Sequence, residues 1–219
     1  MTSMNDAQLQ AKVVEELLFD PGLDAANVAA TVKHGIVTLS GSVSNYPEKG
    51  AAERAVKRVF GVEGVAEELT VDFRSSILHS DEDIAGAARR ALEWSATVPE
   101  KSVQIRVEKG WVTLEGVVEW QFQRQHAYDV VANLLGVKGV SNMVTLKPHM
   151  TSADVHTSIK AAFERSSDLD SDRVQVEVEG SKITLRGTLP NWTEIDAAVM
   201  AAWNAIGVTA VDNQIHIGL

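Results

Sequence analysis

The chain has 219 residues, with 20 basic side chains against 30 acidic ones and no cysteine. The lack of Cys excludes disulfides, thiolate metal sites and cysteine nucleophiles. A formal charge of −10 leaves no general basic face to displace counterions from phosphates, and no apolar run approaches 18 residues. We therefore expect no nucleic-acid partner and no transmembrane segment.

A helix is the first predicted element. Asn5 and Gln8 have the spacing of a capping box, and the break at Pro21-Gly22 ends the pattern. Between them, four apolar residues recur at helical spacing. They are Leu9, Val13, Leu17 and Leu18. This face of the helix is expected to pack against a sheet.

A hairpin follows this helix. Alternation over 28–32 predicts a strand, His34-Gly35 predicts the turn, and 36–43 predicts the returning strand. Glycine at 35 suits a positive φ, whereas Gly41 lies inside a strand. At that position a glycine indicates a bulge or a close approach of another backbone.

A second helix and a last strand complete the unit. Asn45 is the predicted N-cap and Gly61 the predicted C-cap residue, and the last strand is predicted from Val65 to Val71 or Phe73. The buried stripe of the helix is predicted to be Ala52, Ala55, Val56, Val59 and Phe60. The order helix, strand, strand, helix, strand predicts two helices on one face of a three-stranded mixed sheet.

The same unit occurs three times. The predicted central strand carries an aliphatic residue, Thr, Leu, any residue and Gly at 37–41, 112–116 and 183–187, although the third copy begins Gly180-Ser181-Lys182 with one extra residue. The motif residues shared by the copies are Thr38, Thr113 and Thr184, and then Gly41, Gly116 and Gly187. A further glycine follows 20 residues after each of these, at Gly61, Gly136 and Gly207. A fixed offset kept in three places indicates a copied structural unit.

The sequence therefore predicts an α+β protein of three tandem αββαβ domains, at 1–75, 76–149 and 150–219. The joins, around 74–79 and 147–151, are short enough to hold neighbouring copies close together. Because Leu39, Leu114 and Leu185 share one strand parity, all three are expected to be buried beneath the helices.

These motifs resemble the BON domain, found in bacterial osmotic-shock and other envelope proteins. The resemblance rests on the Thr-Leu-x-Gly strand and on a Gly-Val-x-Gly-Val join at 61–65 and 136–140, which includes Gly64 and Gly139. In the third copy Ala210 replaces the second glycine. Asn142 and Asn213 match the family's Asn in the last strand, where the first copy has Glu67. The resemblance covers nearly the whole chain.

The resemblance implies a binding module that is neither an enzyme nor dependent on a cofactor. The function it implies is stress-related contact with a phospholipid membrane or an envelope protein. The alternative is a cytosolic sensor of a small ligand or cation, by analogy with a potassium-binding relative. Taken as the native start, Met1 predicts a cytoplasmic protein, and a removed signal peptide would instead make it periplasmic.

Two motifs have both a chemical and a structural interpretation. The Gly-x-x-Gly at 61–64 and 136–139 could clamp nucleotides, but a helix cap with a tight turn is favoured. The run Asp168, Asp170, Asp172 matches much of a calcium loop, although Arg173 stands where that loop needs Gly. A turn into the strand that follows is therefore favoured over a metal site.

The five tryptophans all lie in the second and third copies: Trp94, Trp111, Trp120, Trp192 and Trp203. Trp111 has the opposite parity to the buried Val112 and Leu114, and Trp94 and Trp192 lie near helix ends. These three are the candidates for contact with lipid or a partner. Packing between the second and third domains is the favoured alternative.

Overall fold

The first copy contains each predicted element. The structure, a computed structural model, describes residues 4–73, 79–147, 173–205 and 207–218. The elements of the first copy are α1 (Asp6–Phe19), a 3₁₀ turn (Ala25–Asn27), β1 (Val28–Lys33), β2 (Ile36–Val43), α2 (Tyr46–Arg58) and β3 (Gly64–Val71). The predicted capping box is confirmed, because Asn5 and Gln8 each accept the other's backbone N–H through their side chains.

The second copy repeats this order, and the third is described from its hairpin onward. The second comprises α3 (Asp81–Glu93), β4 (Val103–Glu108), β5 (Trp111–Val118), α4 (Gln121–Ala132) and β6 (Gly139–Leu146). The third comprises β7 (Val174–Glu179), β8 (Lys182–Leu189), α5 (Trp192–Trp203) and β9 (Ala210–Ile217). The Asp168–Asp172 run and most of both predicted joins lie outside the described residues.

Each copy forms a separate three-stranded sheet with its second strand in the centre. The strand orders are β1-β2-β3, β4-β5-β6 and β7-β8-β9. The hairpin pairs are antiparallel, and β3 and β9 return parallel to the central strands β2 and β8. The chain is therefore three tandem α+β domains with mixed sheets, as the sequence predicts.

The backbone groups into two compact units. One contains Met1–Gly116 and Arg124–Val144, and the other contains Val117–Gln123 and Thr145–Leu219. The first unit thus holds the first copy and most of the second. The second unit holds the rest of the second copy and the third.

The repeated strand leucines form the centre of each core. Leu39, Leu114 and Leu185 are fully buried, which confirms the parity argument. Two predicted core residues are wrong: Leu18 is 70% exposed and Phe60 is also exposed. Leu18 lies about 100° around the helix from the buried Leu17. Phe60 falls beyond Arg58, where α2 ends, and therefore leaves the helical stripe.

The third hairpin contains no extra residue. Glu179 pairs with Lys182 across a two-residue turn, as Lys33 pairs with Ile36 in the first copy. The glycine has instead moved by one position, because Gly180 (φ 62°) occupies the turn position of His34 (φ 52°). The predicted insertion is therefore wrong, and the turn keeps its length while changing which residue has the positive φ.

The strand glycines allow a close backbone approach, as predicted for the first copy. At Gly41 a Cβ would lie 2.0 Å from the carbonyl oxygen of Asn27. The equivalent distances at Gly116 and Gly187 are 2.0 and 2.1 Å. All three also have positive φ values of 113°, 145° and 149°, so a side chain is excluded by both contact and conformation.

The predicted helix cap at Gly61 is wrong by two residues. Helix α2 ends at Arg58, and Val59 is its C-cap. Gly61 (φ 96°) lies in the turn that follows, as do Gly136 (φ 87°) and Gly207 (φ 90°). These glycines therefore shape the loop leading into the last strand rather than the end of the helix itself.

Candidate functional site

The Gly-x-x-Gly loop is attached to the hairpin turn of its own domain. The N–H of the residue before the second glycine position donates to a turn carbonyl at 2.9 Å in every copy. The pairs are Glu63 to Gly35, Lys138 to Gly110, and Thr209 to Ser181. This N–H is therefore already used within the fold, which favours the structural interpretation of the loop over a nucleotide clamp.

An aspartate at the start of the first helix clamps the same turn. The Asp6 carboxylate accepts the backbone N–H groups of His34 and Gly35 at 2.8 and 3.2 Å. Asp81 accepts the equivalent N–H groups of the second turn at 2.7 and 2.8 Å. The two hydrogen bonds from the turn lower the pKa of Asp6, because they favour its charged form. The sequence interpretation missed this pair, although its spacing of 75 residues matches the repeat.

The second glycine of the loop accommodates the side chain that begins the central strand. A Cβ at Gly139 would lie 2.3 Å from the Trp111 ring, whereas one at Gly64 would be 3.7 Å from Ile36. Trp111 therefore lies flat over Gly139, and its indole N–H donates to Ser141 Oγ at 2.9 Å. In the third copy Lys182 pairs with Ala210. A flexible lysine there tolerates the methyl group that Trp111 would not.

The family's asparagine position keeps one interaction in all three copies. Asn142 and Asn213 each accept the backbone N–H two residues further on, at 3.2 and 3.1 Å. Glu67, which stands at the Asn position in the first copy, accepts the equivalent N–H at 3.0 Å, so the local hydrogen bond is kept. Its carboxylate also pairs with Lys49 at 3.1 Å. The motif threonines 38, 113 and 184 lie on the opposite face of the central strands from the buried Leu residues.

The three candidate tryptophans lie in different surroundings. Trp94, at the C-cap of α3, is 89% exposed. Trp111 is 49% exposed because one ring face covers Gly139. Trp192 is half-buried and packs against the core of the third copy. Whether any of them contacts lipid or a partner, or packs between domains, stays a prediction, and Trp94 has the greatest exposure among them.

Copies one and two expose apolar side chains at the same two positions. Phe19 ends α1 and is 84% exposed, and its equivalent 75 residues later is Trp94. Phe60 follows α2, and its equivalent after α4 is the exposed Leu135. We call Phe19 with Phe60, and Trp94 with Leu135, the helix-end pairs. Phe19 and Phe60 line one surface hollow together with Val59. In the third copy Arg165 occupies the aromatic position in the sequence.

A polar groove lies between α2 and α4 within the first unit. Its volume is about 190 Å³, and the hydroxyls of Tyr46 and Tyr128 meet there at 3.0 Å. Burial, followed by this hydrogen bond, raises the pKa of Tyr128 and keeps its hydroxyl neutral. The groove contains cations and carboxylates together, including Lys49, Arg54 and Glu67. This contact joins copies one and two, a pairing that the sequence argument did not consider.

Two further features are absent from the described part of the chain. No helix there is long and apolar enough to cross a membrane. Among the same residues, no group of three or more His, Asp or Glu side chains is placed to hold a metal ion. The weak metal candidate Asp168, Asp170 and Asp172 lies outside the described residues.

The family comparison covers the chain in three segments. A model described as the BON domain matches 5–72, 80–148 and 151–218. The chain belongs to the BON domain family. Osmotically-inducible protein Y of Escherichia coli (strain K12) is 29% identical over 150 residues, which cover 66% of this chain and 74% of that BON relative.

Solved structures give a weaker likeness to these BON domains. Two structures of CdsD, a structural protein of the Type III secretion system of Chlamydia trachomatis, are each 17% identical to the chain. One has a TM-score of 0.27 and covers 96% of this chain and 92% of its own length. The other, a C-terminal domain, has a TM-score of 0.26 and covers 99% and 100%.

Proposed function

We propose that this BON protein is a non-catalytic, stress-related binding protein that attaches to the surface of a phospholipid membrane through its helix-end pairs. The observation that carries the proposal is the exposure of Phe19 and Trp94 at equivalent positions of two copies. Between these copies the exposed residue type changes from Phe to Trp, but the aromatic character is retained. An envelope protein is the competing partner. The link to osmotic stress rests on the name of the Escherichia coli relative.

The chemistry around the second helix-end pair suits the interfacial region of a bilayer. Trp94 follows the last turn of α3, and the exposed Arg89 and Arg90 precede it by about one turn. An amphipathic indole beside guanidinium groups fits the zone between acyl chains and anionic head groups. In the first copy Arg58 is already paired with Glu16 and Asp20 at 2.7 Å. The second copy is therefore expected to respond more strongly to anionic lipid.

The magnitude of the effect can be estimated from the area of one ring. An aromatic side chain buries about 150–250 Å² when fully covered. If half of that area enters the interface, each ring contributes about 2–3 kcal/mol at about 25 cal/mol per Å². Two rings are then sufficient for measurable binding, since each would change the partition coefficient by at least tenfold.

Vesicle co-sedimentation tests this proposal. The wild-type protein is compared with the double variant Phe19→Ser/Trp94→Ser on phosphatidylcholine vesicles with and without phosphatidylglycerol. The matched control is Met143→Ser/Met200→Ser, because both methionines are exposed apolar residues outside the helix-end pairs. We expect the first variant to partition at least tenfold more weakly than the wild type, and the control variant to partition as the wild type does. Equal partitioning of all three proteins would exclude these residues as the contact, and binding to an envelope protein but not to vesicles would favour the competing partner.

One observation favours the alternative, small-ligand binding. The second copy contains a pocket of about 620 Å³. Titrations with potassium and calcium, followed by tryptophan fluorescence and repeated in chelator, test the cation form of this alternative. Cell fractionation tests the proposed cytoplasmic location against a periplasmic one. A saturable fluorescence response to either ion, without vesicle binding, would favour cation binding over the membrane proposal.

A further inference from the structure

The second copy has a pocket between α3 and β4 with an apolar floor. The buried Leu92 and Val98 and the half-buried Val103 and Ile105 line it. Its volume of about 620 Å³ lies within the usual range for small-molecule sites. None of these residues belongs to a helix-end pair, but Arg89 on the pocket's rim also lies about one turn before Trp94.

The first copy has a hydrogen bond between the equivalent helix and strand that the second copy lacks. In that copy the side-chain amide of Gln10 donates to the carbonyl of Ala30 at 3.0 Å, which joins α1 to β1. The equivalent residues 75 positions later are Ala85 and Ile105. Alanine cannot make this bridge, and isoleucine is larger than alanine. Helix α3 and strand β4 therefore lack the connection that holds α1 against β1.

The rim of the pocket carries both signs of charge. Arg89 and Lys101 supply two cations, and Glu93 and Glu100 supply two carboxylates. Arg89 and Glu93 are 3.9 Å apart and well exposed, which makes a weak ion pair. In the described part of the chain, Glu100 and Lys101 have no hydrogen bond or ion pair through their side chains. Lys101 also has a φ of 59°, a costly conformation for a non-glycine residue.

We propose that this pocket binds a single-chain amphiphile with a zwitterionic head group. The apolar floor takes the aliphatic chain, and the rim pairs a positive and a negative group of the head. A purely anionic head would approach Glu93 and Glu100, and a purely cationic head would approach Arg89 and Lys101. Only a head with both charges leaves neither sign of the rim unmatched. This inference does not depend on membrane attachment by the helix-end pairs.

Methyl NMR and calorimetry on the full chain test the pocket and its head-group preference. The probe is dodecylphosphocholine below its micelle concentration, compared with laurate and dodecyltrimethylammonium of the same chain length, and with phosphocholine alone. We expect the methyl signals of Ile105 and Leu92 to shift, and the zwitterion to bind at least tenfold more tightly than either singly charged amphiphile. Unchanged Ile105 and Leu92 signals would overturn the site, and equal affinities would overturn the head-group assignment.

Two variants test the mechanism without removing core side chains. Ala85→Gln restores the bridge found in the first copy and should weaken binding of dodecylphosphocholine at least fivefold, whereas Gln10→Ala in the first copy is the control and should leave it unchanged. Lys101→Glu should transfer the preference to dodecyltrimethylammonium. If Ala85→Gln binds as the wild type does, or if Lys101→Glu keeps its preference for the zwitterion, the proposal is wrong. The vesicle experiment with Phe19→Ser/Trp94→Ser is unaffected by either result.

Discussion

The contact between Trp111 and Gly139 gives a prediction that uses the first copy as its internal control. In Gly139→Ala the new methyl group would lie 2.3–2.7 Å from three carbons of the indole ring, so the ring must move by at least about 1 Å. In Gly64→Ala the nearest Ile36 carbon is at 3.7 Å, an ordinary contact distance. The same substitution is therefore expected to destabilise the second copy but not the first.

The magnitude follows from three contributions. Overpacking typically costs about 1–3 kcal/mol. Moving the ring also breaks the 2.9 Å hydrogen bond from Trp111 to Ser141, a loss of about 0.5–1.5 kcal/mol. Replacing glycine by alanine returns about 0.4–1 kcal/mol by restricting the unfolded chain. Together these contributions predict that Gly139→Ala destabilises the second copy by about 0.5–4 kcal/mol, and that Gly64→Ala leaves the first copy unchanged or slightly stabilised.

Native-state hydrogen exchange measures this prediction, because it reports on each copy separately within the full chain. The amides of β5 and β6 should exchange about 2- to 800-fold faster in Gly139→Ala, which is the exchange ratio for this free-energy range. In the double variant Trp111→Ile/Gly139→Ala the effect of the alanine should largely disappear, because isoleucine is the residue of the first copy. If Gly139→Ala and Gly64→Ala change amide protection in their own domains by the same amount, the packing argument for the loop glycine is wrong.

Three further predictions concern the core, an acidic clamp and a domain contact. Leu114→Ala should destabilise the second copy by about 2–5 kcal/mol, and a change in melting temperature below one degree would contradict this. Because the folded pKa of Asp6 is lowered from 3.8, its carboxylate stabilises the first copy above that pH and the effect is lost as the pH falls. In urea titrations Asp6→Asn should thus be less stable than the wild type at pH 7, and the difference should shrink as the pH falls below 3.8. Since the pKa of Tyr128 is raised above its ordinary 10.0, wild-type stability should fall as the pH rises beyond 10, and Tyr128→Phe should lose that alkaline dependence while losing about 0.5–1.5 kcal/mol at pH 7.

The elements and the core could be predicted because local signals and the repeat agree. Thr-Leu-x-Gly recurs with one parity, and strand alternation alone then buries Leu39, Leu114 and Leu185. The order of the strands was not accessible in this way. The central place of β2 depends on a parallel pairing with β3, and residues on that strand carry no local sign of their neighbour.

The errors fall at element ends, where small shifts change exposure. Phe60 continues the helical spacing of α2, but the backbone leaves the helix at Arg58 and exposes the ring. That error concealed a helix-end pair, since a residue assigned to the core is not considered as a surface contact. Only Trp94 of the four helix-end residues was among the predicted contact residues.

The pocket and the interdomain contact depend on distances between elements. The pocket is lined by Ile105, the equivalent of Ala30, and the helix beside it carries Ala85 in place of the bridging Gln10. Likewise, the Tyr46–Tyr128 hydrogen bond joins side chains 82 positions apart on different copies. Neither feature produces a periodic pattern in the sequence. Aligning the copies with one another does identify the replacement of Gln10 by Ala85.

Quenching by brominated phospholipids tests the membrane proposal most directly, because it requires a side chain to enter the bilayer interface. Trp94 is the most exposed of the five tryptophans, all of which lie in the described residues. We expect phospholipids brominated near the carboxyl end of the acyl chain to quench the tryptophan fluorescence of the wild type. The Trp94→Phe variant should lose most of that quenching but still co-sediment with the vesicles. Quenching that is absent in the wild type, or unchanged in Trp94→Phe, would contradict attachment through the helix-end pairs.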